Sequence, residues 1–437
     1  MKNVQGALRI EKLIGEVILN ELGRCTSNPN VISKEGGFSM NTWRKILVLL
    51  FVITIAFSFG YGVDKAAAEE PIKLGAFFDL SGPAAFIGTP TKLVAEMVVE
   101  KINKEGGING RPLALVIGDT EGDPTRALMV AKRLVEQEKV VALIGPTRTD
   151  TGMAVKKYLE EKQIPTVMTV GGDPVIMEGV HGGKNFGTAK WIFKSPQRSS
   201  IAVKKVYQYL QAKKVKNIAL ITASDGFGRD GKRWLTSLAP QFGLQIVADE
   251  SFGTRDADMT TQLTKIKNTD AQVIICWTIG PAGSIVAKNV KQLAIKLPLI
   301  QCHGLPDPKY IELAGSASEG NVMPATKLMA YSQLPDSDPQ KAVIIEFVRL
   351  YNDVYDYDKQ FPINTHSGYA WDAIYIVANA MKKVGTNNVM LRDAIEQTKN
   401  YVGVSGIYNI TPKDHNGLGT DSMVMVMIWK GQWNLVY

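Results

Sequence analysis

The sequence predicts an α/β protein with two similar lobes, each built on a parallel β-sheet. Three observations predict this class. From residue 72 onward, short apolar runs alternate with stretches whose apolar residues recur at three- and four-residue steps, the spacing of one helix face. The apolar runs are rich in Val, Ile and Leu, as in parallel strands covered on both faces. The pattern restarts near residue 217, and two blocks of similar length predict two sheets.

The first block alternates four predicted strands with three predicted helices. The strands span 72–80, 113–118, 140–145 and 165–170, and the helices span 90–104, 124–138 and 151–163. Within the first helix, Val94, Val98 and Ile102 share one face. Asp123 precedes Pro124, which is the pattern of an N-cap residue followed by proline at the first helical position.

The second block repeats this alternation. Its predicted strands span 217–223, 244–249, 273–278 and 298–303, and its helices span 228–242, 259–268 and 282–293. Beyond about residue 324 the alternation of strands and helices gives way to three long helices, predicted at 341–355, 367–384 and 390–399. Two further strands are predicted at 423–429 and 433–437.

Composition and charge exclude several classes of protein. The 437 residues are 45% hydrophobic and 21% charged, as in an ordinary globular protein. The net charge is +8, and beyond residue 68 there remain 42 basic and 37 acidic residues, a balance too mild and too evenly spread for nucleic-acid binding. With four histidines, three cysteines and neither CxxC nor HExxH, the sequence predicts no zinc site, disulfide framework or cofactor.

Residues 40–68 have the organisation of a secretory signal peptide. Arg44 and Lys45 form a positive start, an apolar run of 15 residues follows at 46–60, and three alanines ending at Ala68 offer a cleavage site. A membrane anchor is the alternative, but the run is shorter than the roughly 18–20 residues that a span needs. We therefore expect an exported, periplasmic protein, with translation beginning at Met40 and residues 1–39 a mis-annotated extension.

In open parallel sheets, ligands bind beyond the carboxyl ends of the strands. The segment 144–152 ends one predicted strand and opens a helix, whose unpaired N–H groups and dipole suit an anion. There the Thr149 hydroxyl either binds a ligand carboxylate or, like Asp150, caps the helix.

Other residues follow predicted strands in the same way. Gly171 and Gly172 allow close approach of a ligand or make a tight turn. Trp277 and His303 either face the cleft or are buried structural residues.

Cys276 and Cys302 end neighbouring strands, and we expect free thiols because such strands rarely give disulfide geometry. Tyr369 and Trp371 lie near the start of a predicted helix, and they either close one side of the cleft or pack in the core.

The segment from Gly226 to Gly231 matches GxGxxG between a predicted strand and helix, and Asp249 follows near the position of a ribose ligand. The pattern indicates either a dinucleotide site or a simple strand-to-helix turn. Export away from the cytoplasmic NAD pool favours the turn.

Five motifs stand out along the chain: Leu80-Ser-Gly-Pro-Ala-Ala-Phe-Ile-Gly88, Asn103-Lys-Glu-Gly-Gly-Ile-Asn-Gly110, Gly118-Asp-Thr, Ile144-Gly-Pro and Leu313-Ala-Gly. In these motifs the sequence resembles the leucine/isoleucine/valine-type solute-binding proteins of bacterial ABC transporters. The resemblance implies two Rossmann-like lobes joined by a hinge of three crossings, the type I periplasmic-binding-protein fold. It places lobe 1 at 72–196 plus 324–404, and lobe 2 at 197–323 plus 405–437.

The resemblance also implies which residues contact a ligand. Thr149 matches the hydroxyl residue that binds the carboxylate of an amino acid, and Val170 and Gly172 match the segment after the fourth strand, where a hydroxyl is missing. Ile87 and Phe227 stand where relatives have tyrosines, and Phe227, Trp277 and His303 suit an aromatic or branched organic acid. His303 stands in place of the acid that pairs with the ligand ammonium.

The predicted function is therefore a non-enzymatic receptor that delivers a small carboxylate to a membrane ABC permease. Loss of the acidic partner predicts a ligand without an α-ammonium, such as the aromatic acids that some members of the wider family bind. An amino acid paired with Asp225 remains an alternative. Other classes are an exported dinucleotide enzyme built on 226–231 and a ligand-sensing receptor domain.

Overall fold

Two large β-sheets organise the residues that this computed structural model describes, which are 70–82, 84–177 and 188–436. The predicted signal peptide at 40–68 and the predicted extension at 1–39 lie outside the described residues. Among the described residues, no helix combines the length and the apolar character that crossing a membrane requires.

The first sheet has five strands, all parallel to their neighbours. They are β1 (Ile72–Phe78), β2 (Leu113–Asp119), β3 (Ala142–Ile144), β4 (Thr166–Met168) and β5 (Ile192–Lys194), in the spatial order β2-β1-β3-β4-β5. The helices between them are α1 (Ala85–Lys104), α2 (Pro124–Lys132) and α3 (Thr149–Lys162). At the start of α2, the Asp123 carboxylate accepts a hydrogen bond from the Arg126 N–H (2.8 Å), as the predicted N-cap requires.

The second sheet begins with a parallel set of strands. These are β6 (Asn217–Ala223), β7 (Gln245–Phe252), β8 (Val273–Trp277), β9 (Leu299–Gln301) and β10 (Val322–Thr326). Its helices are α4 (Ser199–Ala212), α5 (Gly226–Leu238), α6 (Thr260–Lys267), α7 (Pro281–Gln292) and α8 (Pro308–Ala314).

The C-terminal region contributes to both lobes. It supplies α9 (Lys341–Arg349), α10 (Tyr369–Val384), α11 (Asn388–Glu396), a small hairpin of β11 (Tyr401–Val402) and β12 (Ile407–Tyr408), and then β13 (Met423–Trp429) and β14 (Gln432–Val436). The last two strands pair antiparallel and complete the second sheet, in the order β14-β13-β10-β9-β8-β6-β7. Helix α10 packs on α1 and on strands of the first sheet.

The first sheet buries apolar side chains on both faces, as continuous apolar strands predict. Leu74 and Phe78 in β1 belong to the main core together with Val98 of α1, whereas Phe77 belongs to a second cluster with Leu143. The two faces of the first sheet are thus covered by different helices. Together with the second sheet, this arrangement gives the molecule the predicted two-lobed α/β class.

Chain crossings between the lobes are tied to one another by hydrogen bonds. The Tyr408 hydroxyl donates to the carbonyl oxygen of Ser195 (2.7 Å), and the Asn416 side-chain amide donates to that of Pro196 (2.8 Å). The residues of the first crossing therefore contact those of the last one directly.

One predicted lobe boundary lies within a strand. The division between 323 and 324 falls inside β10, whose residues Val322–Thr326 pair with β9 and β13. Strand β10 is hard to predict from the sequence because it contains Pro324, and a proline inside an apolar run argues against a strand. Strand β5, at Ile192–Lys194, was also not predicted.

Candidate functional site

A cavity lies between the two lobes, at the carboxyl ends of strands from both sheets. It encloses about 390 Å³ of space between atoms, including its mouth. The segments after β3 and β4 line one side, and the start of α5 and the segments after β8 and β9 line the other. This is the position that strand topology predicts for a ligand.

Four of the seven residues predicted to bind ligand line this cavity: Ile87, Thr149, Phe227 and His303. The other three, Val170, Gly172 and Trp277, are not among its lining residues.

Each of those three has a structural position behind the wall. Val170 packs into the second apolar cluster. Trp277 is fully buried, with its ring centroid 5.9 Å from that of Phe227 and 5.4 Å from that of His303. The Gly172 N–H donates to the Thr149 hydroxyl oxygen (3.3 Å), and the neighbouring Gly171 lines the cavity instead.

The first wall is built from the start of α3. The Thr149 hydroxyl accepts from Gly172, so its own hydrogen is available to a ligand. The backbone N–H groups of Thr149 and Asp150 have no acceptor among the described residues, as at most helix starts. These donors and the positive end of the helix dipole favour an anion.

Arg148 is the one charged side chain among the described residues that line the cavity, setting the two histidines aside. It is 18% exposed, and its Nη2 lies 3.7 Å from Asp225 Oδ2 and 4.0 Å from Asp150 Oδ2. Among the described residues of this lining there is no carboxylate side chain. Sequence reasoning missed Arg148 although it lies inside the segment that was singled out.

A hydroxyl does exist beside the segment after β4. Thr169 lines the cavity one residue before Val170, the matched position that lacks a hydroxyl. Its Oγ1 donates to the carbonyl oxygen of Pro146 (2.8 Å). That hydrogen bond joins the segments after β3 and β4 and commits the hydroxyl proton to the protein.

His303 faces the cavity from the second lobe. Its side chain is 2% exposed, and neither ring nitrogen has a hydrogen-bond partner within the described residues. Burial, with Lys194 and His366 nearby, lowers the pKa of His303 to about 3. The ring is therefore neutral at physiological pH, with one donor and one acceptor nitrogen.

The C-terminal region adds two aromatic residues to the lining. His366 Nε2 lies 3.3 Å from the carbonyl oxygen of Gly304, and burial lowers the pKa of His366 to about 4. Tyr369 also lines the cavity, whereas Trp371 packs against Phe347 in the core. Only Tyr369 and Trp371 were considered from the sequence, and His366 was missed.

Buried charges support the wall that contains Gly171. Lys194 Nζ donates to the carbonyl oxygens of Gly171 (2.6 Å) and Gly172 (3.3 Å) and lies 4.0 Å from Asp173 Oδ1. Burial lowers the pKa of Lys194 to about 8, which leaves it mostly charged at neutral pH.

Asp173 extends this support across the lobes. Its Oδ1 accepts from the Ser199 N–H at the start of α4 (2.7 Å), and its own N–H donates to Asp230 Oδ2 (2.8 Å). The Gly171 wall is thus held from both lobes.

The GxGxxG segment does not favour a dinucleotide. The Gly226 N–H donates to Asp150 and the Gly228 N–H to Asp225 (2.8 Å), so carboxylates already occupy the helix start where a phosphate would bind. A Cβ on Gly231 would lie 2.3 Å from the Trp277 ring. These glycines allow α5 to pack closely on the sheet.

Cys276 and Cys302 are both buried free thiols, as expected. The Cys302 thiol donates to the carbonyl oxygen of Thr278 (2.9 Å). No group of three or more metal-ligating side chains is found within the part of the chain that the structure describes.

Comparison with known proteins identifies relatives. A Leu/Ile/Val-binding protein of Rhizobium johnstonii is 24% identical over 67% of this chain and 75% of that protein. A leucine-, isoleucine-, valine-, threonine- and alanine-binding protein of Pseudomonas aeruginosa is 23% identical over 73% of this chain and 80% of that one.

Solved structures show the same fold. An extracellular ligand-binding receptor from Rhodopseudomonas palustris superposes with a TM-score of 0.75 at 25% identity, covering 84% of this chain and 99% of that one. A branched-chain amino acid transporter substrate-binding protein of Streptococcus pneumoniae, solved with isoleucine, gives 0.70 at 23% identity, with coverages of 84% and 99%. Residues 71–432 match the periplasmic binding protein family, and the chain belongs to that family of solute-binding receptors.

Proposed function

We propose that this protein is the exported substrate-binding component of an ABC importer, and that it captures a small organic acid between its lobes. The proposed ligand has a carboxylate but no α-ammonium group, as in a branched or aromatic organic acid. The composition of the cavity wall carries this proposal. Arg148 and the helix start at Thr149 offer positive charge and N–H donors, and no carboxylate side chain belongs to the described lining.

The same wall disfavours an amino acid. A buried ammonium needs an anionic partner, because burial of an unpaired charge is costly. Asp225, the acid that the sequence offered for this role, does not line the cavity. Its carboxylate accepts from Gly228 and lies 3.7 Å from Arg148. Burial that lowers the pKa of His303 to about 3 also opposes a positive charge on a ligand there.

Ligand capture by closure needs no covalent chemistry. Contacts from both lobes line the cavity, so a ligand that touches both binds the closed arrangement better than an open one. Occupancy then shifts the population toward the closed arrangement, whose outer surface is what a permease would recognise.

A thermal-shift screen tests the ligand class. We expect stabilisation by branched or aryl carboxylates and weaker stabilisation by the amino acids of matching side chain. Leucine, isoleucine and valine belong in the set because the relatives are named for them. Stabilisation by leucine together with none by any acid that lacks an ammonium would overturn the proposed ligand. Mass spectrometry of molecules that co-purify provides an independent identification.

Export and import are tested in cells. N-terminal sequencing of the mature protein should find a start close to residue 69, and sequencing of the precursor should find a start at Met40. Deletion of the gene should reduce uptake of the labelled ligand, and a plasmid copy should restore it. Unchanged uptake in the deletion strain would contradict the transport role.

A further inference from the structure

We propose that the ligand carries a hydroxyl group in addition to its carboxylate, and that His303 binds this hydroxyl. The inference rests on the proposed function, because it assumes that an organic acid occupies the cavity. It goes further by naming the second functional group of the ligand and the side chain that selects it.

The main observation is an unsatisfied histidine. His303 lines the cavity and is 2% exposed, yet Nδ1 and Nε2 both lack a hydrogen-bond partner among the described residues. Buried polar atoms in folded proteins are nearly always paired, and leaving two of them unpaired destabilises the fold. A ligand in the cavity is therefore expected to supply at least one partner.

The surroundings fix the ring in place. Phe227 and Trp277 pack against it, with ring centroids 5.3 and 5.4 Å from that of His303. Across the wall, a Cβ on Gly171 would lie 3.4 Å from His303 Nε2, so the absence of a side chain there leaves room at this nitrogen. The second imidazole differs, because His366 Nε2 already lies 3.3 Å from the Gly304 carbonyl oxygen.

The protonation state of His303 selects the group that it binds. A neutral imidazole presents one N–H donor and one bare acceptor nitrogen. A hydroxyl both donates and accepts, so it pairs with either nitrogen whichever tautomer is present. A methyl group would leave both nitrogens unpaired, and an ammonium would bring an unpaired charge into a site where burial already disfavours one.

Isothermal titration with two matched pairs of acids tests the inference. One pair is isocaproate and its α-hydroxy analogue, and the other is phenylpropanoate and its para-hydroxyphenyl analogue. In at least one pair we expect the hydroxy acid to bind about tenfold tighter or more, the size of effect that one buried hydrogen bond produces.

Variants assign the preference to His303. His303→Leu should abolish the preference for the hydroxy acid, and His303→Asn, which keeps a donor and an acceptor, should restore part of it. Ile279→Val, a change in an apolar residue of the same lining, should alter binding of both acids by similar factors and keep the preference. Circular dichroism and thermal unfolding establish that each variant is folded.

The outcomes separate the two proposals. If the acids bind but neither hydroxyl tightens binding, or if His303→Leu keeps the preference, the hydroxyl inference is overturned and the proposed function stands. If none of the four acids binds while leucine does, the proposed ligand class fails, and the inference fails with it, whereas the transport role is tested separately by uptake.

Discussion

The Asp150 carboxylate accepts hydrogen bonds from the backbone N–H of Gly226, at 3.1 and 3.2 Å, across the boundary between the lobes. Asp150 lies in the first turn of α3, and Gly226 begins α5. Arg229 of α5 adds a second contact, with its Nη2 at 3.6 Å from Asp150 Oδ1. A carboxylate at a helix start meets unpaired N–H groups and the positive end of the dipole. Because the partners belong to different lobes, this contact stabilises the closed arrangement.

Replacing Asp150 with Ala should therefore weaken ligand binding without unfolding the protein. We expect a loss of about 0.5–2 kcal/mol, the usual contribution of a capping carboxylate. Isothermal titration measures the affinity, and small-angle X-ray scattering of the ligand-bound variant should show more of the open form. Asp249→Ala is the matched control, since Asp249 pairs with Lys232 of α5 (3.0 Å) within one lobe. Equal effects of the two variants would contradict an interlobe role.

Replacing Arg148 with Met tests the carboxylate end of the cavity. A charge-assisted hydrogen bond contributes about 1.5–3 kcal/mol, so we expect the affinity for an organic acid to fall at least tenfold. The neutral amide of the same acid should lose much less, which distinguishes charge recognition from general damage. Arg126→Met, at a half-exposed arginine that pairs with Glu121 (2.8 Å), should change neither affinity. A similar loss for acid and amide would argue against Arg148 as the carboxylate partner.

Two of the residues that sequence reasoning placed in the cavity come shortly after strands that were predicted. His303 follows β9 and Phe227 follows β6, and for such residues topology alone indicates the edge of the sheet. The resemblance named Val170 in the segment after β4, and its neighbours Thr169 and Gly171 line the cavity. Successive residues of an extended segment point to opposite sides, so sequence matching without that alternation does not tell which of them faces a ligand.

The missed residues depend on contacts between distant parts of the chain. His366 reaches the cavity because the chain returns from the second lobe to form α10, and nothing local in the sequence reports where that return passes. Arg148 lay within the segment that was singled out. Its Nη2 lies 3.7 Å from Asp225 Oδ2, and Asp225 comes from the other lobe. Such side chains are positioned by tertiary contacts that periodicity and motif spacing do not encode.

Gly231 gives a test of the interpretation that its motif serves packing. An Ala in a helix interior is normally more stable than Gly by about 0.5–1 kcal/mol. At Gly231 the added Cβ would meet the buried Trp277 ring at 2.3 Å, so we expect destabilisation of about 1–3 kcal/mol instead. Urea unfolding measures the difference, with Ser237→Ala on an exposed position of the same helix as the control. Stabilisation by Gly231→Ala would contradict the packing role.

Acid sensitivity gives a test of the buried histidine in the ligand-free protein. The pKa of His303 falls from 6.5 to about 3 on folding, because of burial first and then the nearby Lys194 and His366, while Asp173 opposes the shift. Between these two values the unfolded chain binds a proton that the folded protein does not. The free energy of unfolding therefore decreases as the pH falls below about 6.5. Buried carboxyls act in the opposite sense, because burial raises the pKa of Asp307 and of Asp372 to about 6.

Comparison of wild type with His303→Leu isolates the histidine from those carboxyls, which both proteins share. Urea unfolding at pH 7 and pH 5 should show a smaller loss of stability in the variant, by about 2 kcal/mol for one proton that is no longer taken up on unfolding. The sign of this difference follows from the lowered pKa, and it requires that the ring stay buried and neutral in the folded state. An equal loss in both proteins would mean that the His303 ring takes up a proton without unfolding. The cavity would then tolerate a positive charge, and the argument against an ammonium ligand would rest on the lack of a carboxylate in the described lining alone.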